Sequence, residues 1–106
     1  MNNLNNCTAI ITGASKGIGK SIAFKLAEDG AELILLSRTE KLLSEVKKEI
    51  ISKFNVKVSY HVVDTGDFTS INKLFSEIIA NNQKVDILVN NAGITKDNIL
   101  ARMTEK

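Results

Sequence analysis

The 106-residue chain contains no proline, no tryptophan and a single cysteine, Cys7. One cysteine excludes a disulfide within the chain and fits a reducing compartment, and we expect Cys7 to be a small core residue at the start of a strand. Without proline or a low-complexity stretch, nothing marks a domain boundary, so we expect one domain. The sequence has no cluster of cysteine and histidine with metal-ligand spacing, and no metal site is predicted.

Long apolar runs and an excess of charge of one sign are also missing. No apolar run reaches the ~20 residues that span a bilayer, and the asparagine-rich start lacks the basic-then-apolar order of a signal peptide. The 14 basic and 12 acidic residues give a net charge of +2, which gives no reason to propose nucleic acid or a membrane as a partner. We expect a cytoplasmic protein; import into an organelle, with loss of a transit segment, stays open.

What the sequence does contain is a regular alternation of apolar runs and helical periodicities. The apolar runs predict strands at 7–11, 33–36, 56–63 and 85–89, and the helical spacing predicts helices at 17–30, about 39–54, from 67 and, beginning but not finishing, from 97. Strands that alternate with helices indicate parallel crossovers. With a glycine-rich loop after the first strand, we predict an α/β fold with a Rossmann-like doubly wound sheet of strand order 3-2-1-4.

Two local patterns refine this prediction. The third strand alternates valines and Tyr60 with polar residues, which is typical of a half-exposed strand at the sheet edge; we interpret His61, on its polar face, as a surface histidine. Ser37 or Thr39 is expected to cap the second helix. Glu40 follows Ser37 by three residues, as in a capping box.

The glycine-rich loop after the first strand carries the strongest functional signal. Its glycines lie at 13, 17 and 19. Glycine permits a tight turn and a close approach of the backbone to a pyrophosphate, and the following helix N-terminus offers free N–H groups to an anion. The cofactor crevice is expected beside Gly13 and Asn90, where the strand order reverses. The alternative is a glycine-rich turn that binds no ligand.

The end of the second strand predicts the type of nicotinamide cofactor. NAD-binding folds of this kind place an acidic residue there, whereas this chain has Ser37-Arg38-Thr39. Arg38 and Lys16 can flank an adenosine 2′-phosphate, with Ser37 or Thr39 as a hydroxyl donor. The pattern favours NADP(H); the alternative is two solvated surface charges.

Two further polar segments follow the third and fourth strands. Asp64-Thr65 can accept a hydrogen bond from an adenine amino group, or simply begin a turn. The side-chain amides of Asn90-Asn91-Ala92-Gly93 can bridge strands and hold a cofactor ribose, or belong to an Asn/Gly turn.

Together these motifs resemble the short-chain dehydrogenase/reductase family. T-G-A-S-K-G-I-G at 12–19, Asp64 and N-N-A-G at 90–93 lie in the family's order, and 90–103 is similar to the segment typical of 3-oxoacyl-[acyl-carrier-protein] reductases. The resemblance implies that Asn90 is structural. It implies that NADP(H) is bound by Gly13, Ala14, Ser15, Lys16, Gly17, Ile18, Gly19, Ser37, Arg38, Asp64, Thr65, Asn91, Ala92 and Gly93.

The resemblance also implies a reaction. A full-length parent would be an oxidoreductase that uses NADPH to reduce a 3-oxoacyl thioester carried on acyl carrier protein, in fatty-acid biosynthesis, and would commonly be a homo-oligomer. The family's Tyr-x-x-x-Lys pair has no counterpart in this sequence: the single tyrosine is Tyr60, and Asp64 stands four residues later. We therefore assign no catalytic residue.

We expect residues 1–106 to be an NADP(H)-binding Rossmann half-domain, truncated before the catalytic segment and inactive by itself. Two alternatives stay open. The first is a non-catalytic nucleotide-binding module or fragment, and the second is a member of the same family that acts on another carbonyl or alcohol substrate.

Overall fold

The computed structural model describes residues 3–64, 66–82 and 84–91. Its elements are β1 (Thr8–Thr12), α1 (Gly17–Glu28), β2 (Glu32–Ser37), α2 (Glu40–Lys53), β3 (Val58–Val62), α3 (Phe68–Asn82) and β4 (Ile87–Val89). This alternation confirms the predicted order of strands and helices. The predicted helix from 97 lies outside the described residues.

The four strands form one parallel sheet in the order β3-β2-β1-β4, which confirms the predicted topology. β1 lies between β2 and β4, with Thr12 opposite Leu36 and Ile11 opposite Val89. β3 lies at the edge, as its alternation predicted. Because all four strands are parallel, the segments that follow them meet at one edge of the sheet, the carboxyl edge.

The sheet separates two hydrophobic clusters. Helices α1 and α2 cover one face, here called the α1–α2 face, and α3 covers the other, the α3 face. The α1–α2 face buries Ala9, Ile11, Ala14, Ala23, Ala27, Ala31, Leu33, Leu35, Leu43, Val46, Ile50 and Val58. The α3 face buries Ile10, Ile34, Leu36, Ile71, Phe75 and Ile78. β1, β2 and β4 contribute side chains to both clusters because successive side chains of a strand point to opposite faces.

The helix ends follow local sequence signals in most places. Gly30, with φ of 99°, ends the turn after α1, and α2 ends at Lys53, one residue before the predicted end at about residue 54. Asp67 caps α3, since its carboxylate accepts hydrogen bonds from the backbone N–H and the hydroxyl of Ser70 at 3.2 and 2.9 Å. Those bonds hold the pKa of Asp67 below its usual value.

Three local predictions need correction. The capping box is wrong, because α2 begins at Glu40 and its N-cap residue is Thr39 rather than Ser37. The Thr39 side chain accepts no capping hydrogen bond from the described part of α2. Cys7 is half-buried and precedes β1, so it is not a core residue of that strand. His61 is half-buried rather than exposed, because α3 lies beside it.

Within the described ranges, no helix is both long enough and apolar enough to cross a membrane.

Candidate functional site

A crevice of about 400 Å³ opens at the carboxyl edge of the sheet. The segments that follow β1, β2 and β3 contribute its lining, which comprises Gly13, Ser15, Lys16, Ser37, Arg38, Thr39, Asp64 and Gly66. Open α/β sheets bind their ligands at this edge. A second depression, of about 480 Å³, lies at the opposite edge and contains none of the polar segments singled out in the sequence.

The glycine loop between β1 and α1 needs its three glycines for two different reasons. Gly13 and Gly17 have φ of 64° and 62°, a conformation that L side chains rarely adopt. Gly19 is required by space instead: a Cβ there would collide with the carbonyl oxygen of Gly13 and lie 2.8 Å from the amide nitrogen of Asn91. The first turn of α1 therefore packs directly on the backbone of the loop.

The N-terminus of α1 is open. Lys16 holds the N-cap position in an extended conformation, no described side chain caps the helix, and its first turn contains no acidic residue. The first N–H groups of a helix have no partner within it, so this end of α1 can hold an anion. The N-terminus of α3 differs, because Asp67 already fills that role. The open N-terminus of α1 adjoins the crevice through Lys16.

The end of β2 brings hydroxyls and cations together. The Ser37 hydroxyl donates to Ser15 Oγ at 3.1 Å and accepts from the Thr39 N–H at 3.1 Å. Lys16 and Arg38 line the same crevice and are exposed; among the residues that the structure describes, neither is paired with a carboxylate. The crevice therefore presents two positive charges beside three hydroxyl groups.

Asp64 lines the crevice at the end of β3. Its Oδ1 accepts a hydrogen bond from the Gly66 N–H at 2.9 Å, which makes Asp64 the first residue of a turn. The turn interpretation and the adenine interpretation are thus compatible, since a carboxylate has a second oxygen to offer. Thr65 lies outside the described residues.

Thr12 ties the end of β1 to the end of β4, a role that the sequence reasoning missed. Its hydroxyl accepts from the Asn91 N–H at 2.8 Å and donates to the Val89 carbonyl at 3.3 Å. It also lies 3.5 Å from the side-chain oxygen of Asn90. The available signal was a polar residue that ends an otherwise apolar, buried strand.

The Asn91 side chain adds a second link, because its amide nitrogen donates to the Gly13 carbonyl at 3.4 Å. Asn91 thus holds the glycine loop from the side of β4, while Ser37 holds it from the side of β2. Ala92 and Gly93 lie outside the described residues. The structure brings Asn91 to the loop but not into the lining of the crevice.

Besides Asn91, the lining lacks four predicted residues of the glycine loop and the first turn of α1, namely Ala14, Gly17, Ile18 and Gly19. Ala14 is fully buried in the cluster of the α1–α2 face, and its N–H donates to the Leu36 carbonyl at 3.2 Å. Ile18 is 70% exposed in the first turn of α1. The Ala14 N–H therefore attaches the loop to β2, whereas the exposed Ile18 side chain can contact a bound molecule.

Tyr60 is the one tyrosine of the chain, and it lies outside the crevice. Its side chain is half-buried against the cluster of the α1–α2 face, and the Lys47 ammonium lies 5.8 Å from its ring centroid. Tyr60 is therefore not among the described residues that line the crevice.

Solved structures with the same fold include enzymes crystallised with nicotinamide cofactors. A metagenomic short-chain oxidoreductase in complex with NADP superposes with a TM-score of 0.81 at 35% identity, over 87% of this chain and 41% of that one. L-sorbose reductase from Gluconobacter frateurii, complexed with NADPH and L-sorbose, superposes with a TM-score of 0.80 at 28% identity. The match covers 97% of this chain and 44% of that one.

Curated relatives include two 3-oxoacyl-[acyl-carrier-protein] reductases. That of Staphylococcus epidermidis is 39% identical over 106 residues, which is 95% of this chain and 41% of the relative. The reductase of Aquifex aeolicus is 40% identical over 96 residues, which is 91% of this chain and 39% of the relative. The chain thus spans well under half the length of these relatives. The family model for short chain dehydrogenases matches residues 7–106, and the chain belongs to that family.

Proposed function

We propose that this chain is the NADP(H)-binding half-domain of a reductase that acts on 3-oxoacyl thioesters of acyl carrier protein. Membership of the short-chain dehydrogenase family makes oxidoreductase chemistry the class of the reaction. The observation that carries the choice of cofactor is the crevice, where Lys16 and Arg38 flank the hydroxyls of Ser15, Ser37 and Thr39.

The shape of the site fits a dinucleotide. The open N-terminus of α1 suits the pyrophosphate, because no described side chain caps its first N–H groups. Lys16 and Arg38 suit the 2′-phosphate, which Arg recognises with paired N–H donors. The remaining assignments, all proposals, place Asp64 with Thr65 at the adenine and Asn91, Ala92 and Gly93 at the nicotinamide-side ribose.

When bound, NADPH supplies a hydride to the carbonyl carbon of the substrate. The residues of this chain bind and orient the cofactor through the glycine loop and the end of β2. A proton donor for the carbonyl oxygen is a separate requirement, and Tyr60 packs against the cluster of the α1–α2 face rather than lining the crevice. We therefore propose that residues 1–106 bind the cofactor and do not by themselves catalyse reduction.

The substrate proposal is supported by the 3-oxoacyl-[acyl-carrier-protein] reductases among the relatives. It includes acyl carrier protein as the partner that delivers the substrate, a role in fatty-acid biosynthesis, a cytoplasmic location and a homo-oligomeric full-length enzyme. The competing candidate is a nucleotide-binding module without a reaction. This candidate is supported by the position of Tyr60, the one tyrosine of the chain, outside the lining of the crevice.

Cofactor binding is tested by titrating the chain with NADPH and NADH and following the fluorescence of the reduced nicotinamide. We expect NADPH to bind at least about tenfold more tightly, because one charge-assisted hydrogen bond to the 2′-phosphate contributes this much. Equal affinities would overturn NADP(H) as the cofactor.

Catalysis is tested with a chimera that joins residues 1–106 to the remaining C-terminal part of the Staphylococcus epidermidis reductase. We expect the chimera to reduce an acetoacetyl thioester with NADPH, and the 106-residue chain alone to produce no 3-hydroxyacyl product. Activity of the chain alone would overturn the half-domain proposal. A folded chimera that binds NADPH but does not turn over would favour the module.

A further inference from the structure

The rim of the crevice contains a short chain of hydrogen bonds. The Thr39 N–H donates to Ser37 Oγ over 3.1 Å, and 3.1 Å separates the hydroxyl oxygens of Ser37 and Ser15. A backbone nitrogen can only donate, so Ser37 Oγ is an acceptor at the Thr39 end. The direction of the bond between the two serines then depends on which of them gives its proton.

Burial decides that direction. Ser37 is only 6% exposed, and within the described ranges the Ser15 oxygen is the acceptor that its hydroxyl reaches. A buried hydroxyl proton without an acceptor costs free energy, so Ser37 donates to Ser15. Ser15 is half-buried and lines the crevice. Its own proton is therefore directed toward whatever occupies the crevice.

A donor at this point suits a phosphate better than a ribose hydroxyl. The oxygens of a phosphate dianion only accept, whereas a ribose 2′-hydroxyl brings a proton that itself needs an acceptor. Lys16 and Arg38 line the same crevice and add two positive charges. All three groups therefore favour the cofactor that carries the extra phosphate.

We propose that Ser37 is a positioning residue: it orients the Ser15 hydroxyl as a donor to the adenosine 2′-phosphate and thereby contributes to the preference for NADP(H) over NAD(H). This inference rests on the proposed function, because it requires the adenosine end of the cofactor to occupy this crevice. Ser37 acts through Ser15, since its own hydroxyl is already engaged by Thr39 and Ser15.

The test compares two probes that differ by one phosphate, adenosine 2′,5′-bisphosphate and adenosine 5′-monophosphate, titrated into the 106-residue chain by calorimetry. The readout is the ratio of their dissociation constants. We expect Ser37→Ala to lower the preference for the bisphosphate about threefold to tenfold, and Ser15→Ala to lower it at least as much, because an oriented hydrogen bond to a charged group is lost.

Two variants serve as controls. Ser37→Thr keeps the hydroxyl and should keep the preference for the bisphosphate. Ser52→Ala makes the same chemical change on the outer surface of α2, where the hydroxyl bonds to the Glu49 carbonyl of its own helix at 2.8 Å. It should leave both dissociation constants unchanged.

The outcomes separate this inference from the proposed function. If the unaltered chain binds the two probes equally, the NADP(H) proposal fails. If the unaltered chain prefers the bisphosphate and Ser37→Ala keeps that preference, the positioning role is overturned. Since Ser37→Ala leaves the Thr39 N–H without its acceptor, circular dichroism must show that it folds. If it does not fold, Ser15→Ala decides: a retained preference overturns the inference, and a lost one supports it.

Discussion

On the α1–α2 face of the sheet, five of the buried side chains are alanines, whereas the cluster of the α3 face contains none. Small side chains let α1, which buries Ala23 and Ala27, approach the strands closely, and Ala14 of the glycine loop belongs to the same cluster. The α3 face instead depends on a few large side chains, of which Phe75 is the largest. The first face therefore sets the geometry of the site, while the second contributes mainly apolar burial.

This difference predicts that the two faces fail in opposite ways. A face packed with small residues is sensitive to added volume, because nearby backbone has no room to move. A face packed with few large residues is sensitive to lost volume, because the cavity left behind is not refilled. The predictions below test that contrast, in order of decreasing effect.

The largest effect is expected on the α3 face. Phe75→Ala removes a fully buried ring and should lower the free energy of unfolding by about 3–5 kcal/mol. Urea denaturation followed by circular dichroism measures the change. The matched control Phe75→Leu keeps most of the volume and should cost less than about 1.5 kcal/mol. If the two variants are equally destabilised, the cavity argument is wrong.

On the α1–α2 face, added volume should do the damage. Ala23→Leu places three extra carbons between α1 and the sheet, where Ala23 is fully buried. This substitution should lower the free energy of unfolding by about 1–3 kcal/mol. It should also weaken binding of adenosine 2′,5′-bisphosphate, because α1 carries the glycine loop at its start. The control Ala80→Leu makes the same change at an exposed position of α3 and should stay within about 0.5 kcal/mol. An Ala23→Leu chain with unchanged stability would contradict this view of the face.

A smaller contribution comes from the outer seam between α1 and α2. The Lys20 and Lys53 ammonium groups lie 6.0 and 5.6 Å from the centroid of the Phe24 ring, and the Phe54 ring meets Phe24 edge-on at 6.5 Å. Lys53→Ala should therefore lower the free energy of unfolding by about 0.5–1 kcal/mol.

The control for the seam is Lys48→Ala, at an exposed position of the same helix. Urea midpoints of the two variants, measured side by side, give the comparison. Equal losses would show that the cation–π contact of Lys53 adds nothing to the α1–α2 face.

The smallest effect concerns pH and the α3 face. Burial beside α3 lowers the pKa of His61, and the charge of Glu77 partly opposes this. Because the folded state favours the neutral imidazole, the contribution of His61 is present above the unfolded pKa of about 6.5 and is lost as the pH falls below it.

This pH effect is measured as the change in urea midpoint between about pH 7.5 and about pH 5.5. The unaltered chain should lose more stability over that range than His61→Gln, which cannot titrate. A greater loss in the variant would reverse the sign of the proposed linkage.

Much of the fold could be predicted because its signals are local. Helical spacing located α1 and α2, Asp67 marked the start of α3, and the glycine loop identified the end of β1. Predicted strand ends were less accurate: β3 and β4 are shorter than the apolar runs that contain them, since apolar residues such as Val56 and Val85 also pack from outside a strand. The capping box failed because the Ser37 hydroxyl bonds to Ser15 and Thr39 rather than to a residue of α2.

By itself the sequence determined the alternation of strands and helices and the order of the strands in the sheet. It also determined that a cation follows β2, where an NAD-binding fold would have an acidic residue, and that a second cation lies in the glycine loop. Each of these follows from residue types at short spacing. Tertiary structure alone decided the tie between Thr12 and Asn91, which are 79 positions apart, the burial of Ala14, and the direction of the bond from Ser37 to Ser15. The reason is physical: a hydrogen bond between two strand ends depends on their relative position, which the parallel register of the sheet sets and neither segment encodes alone.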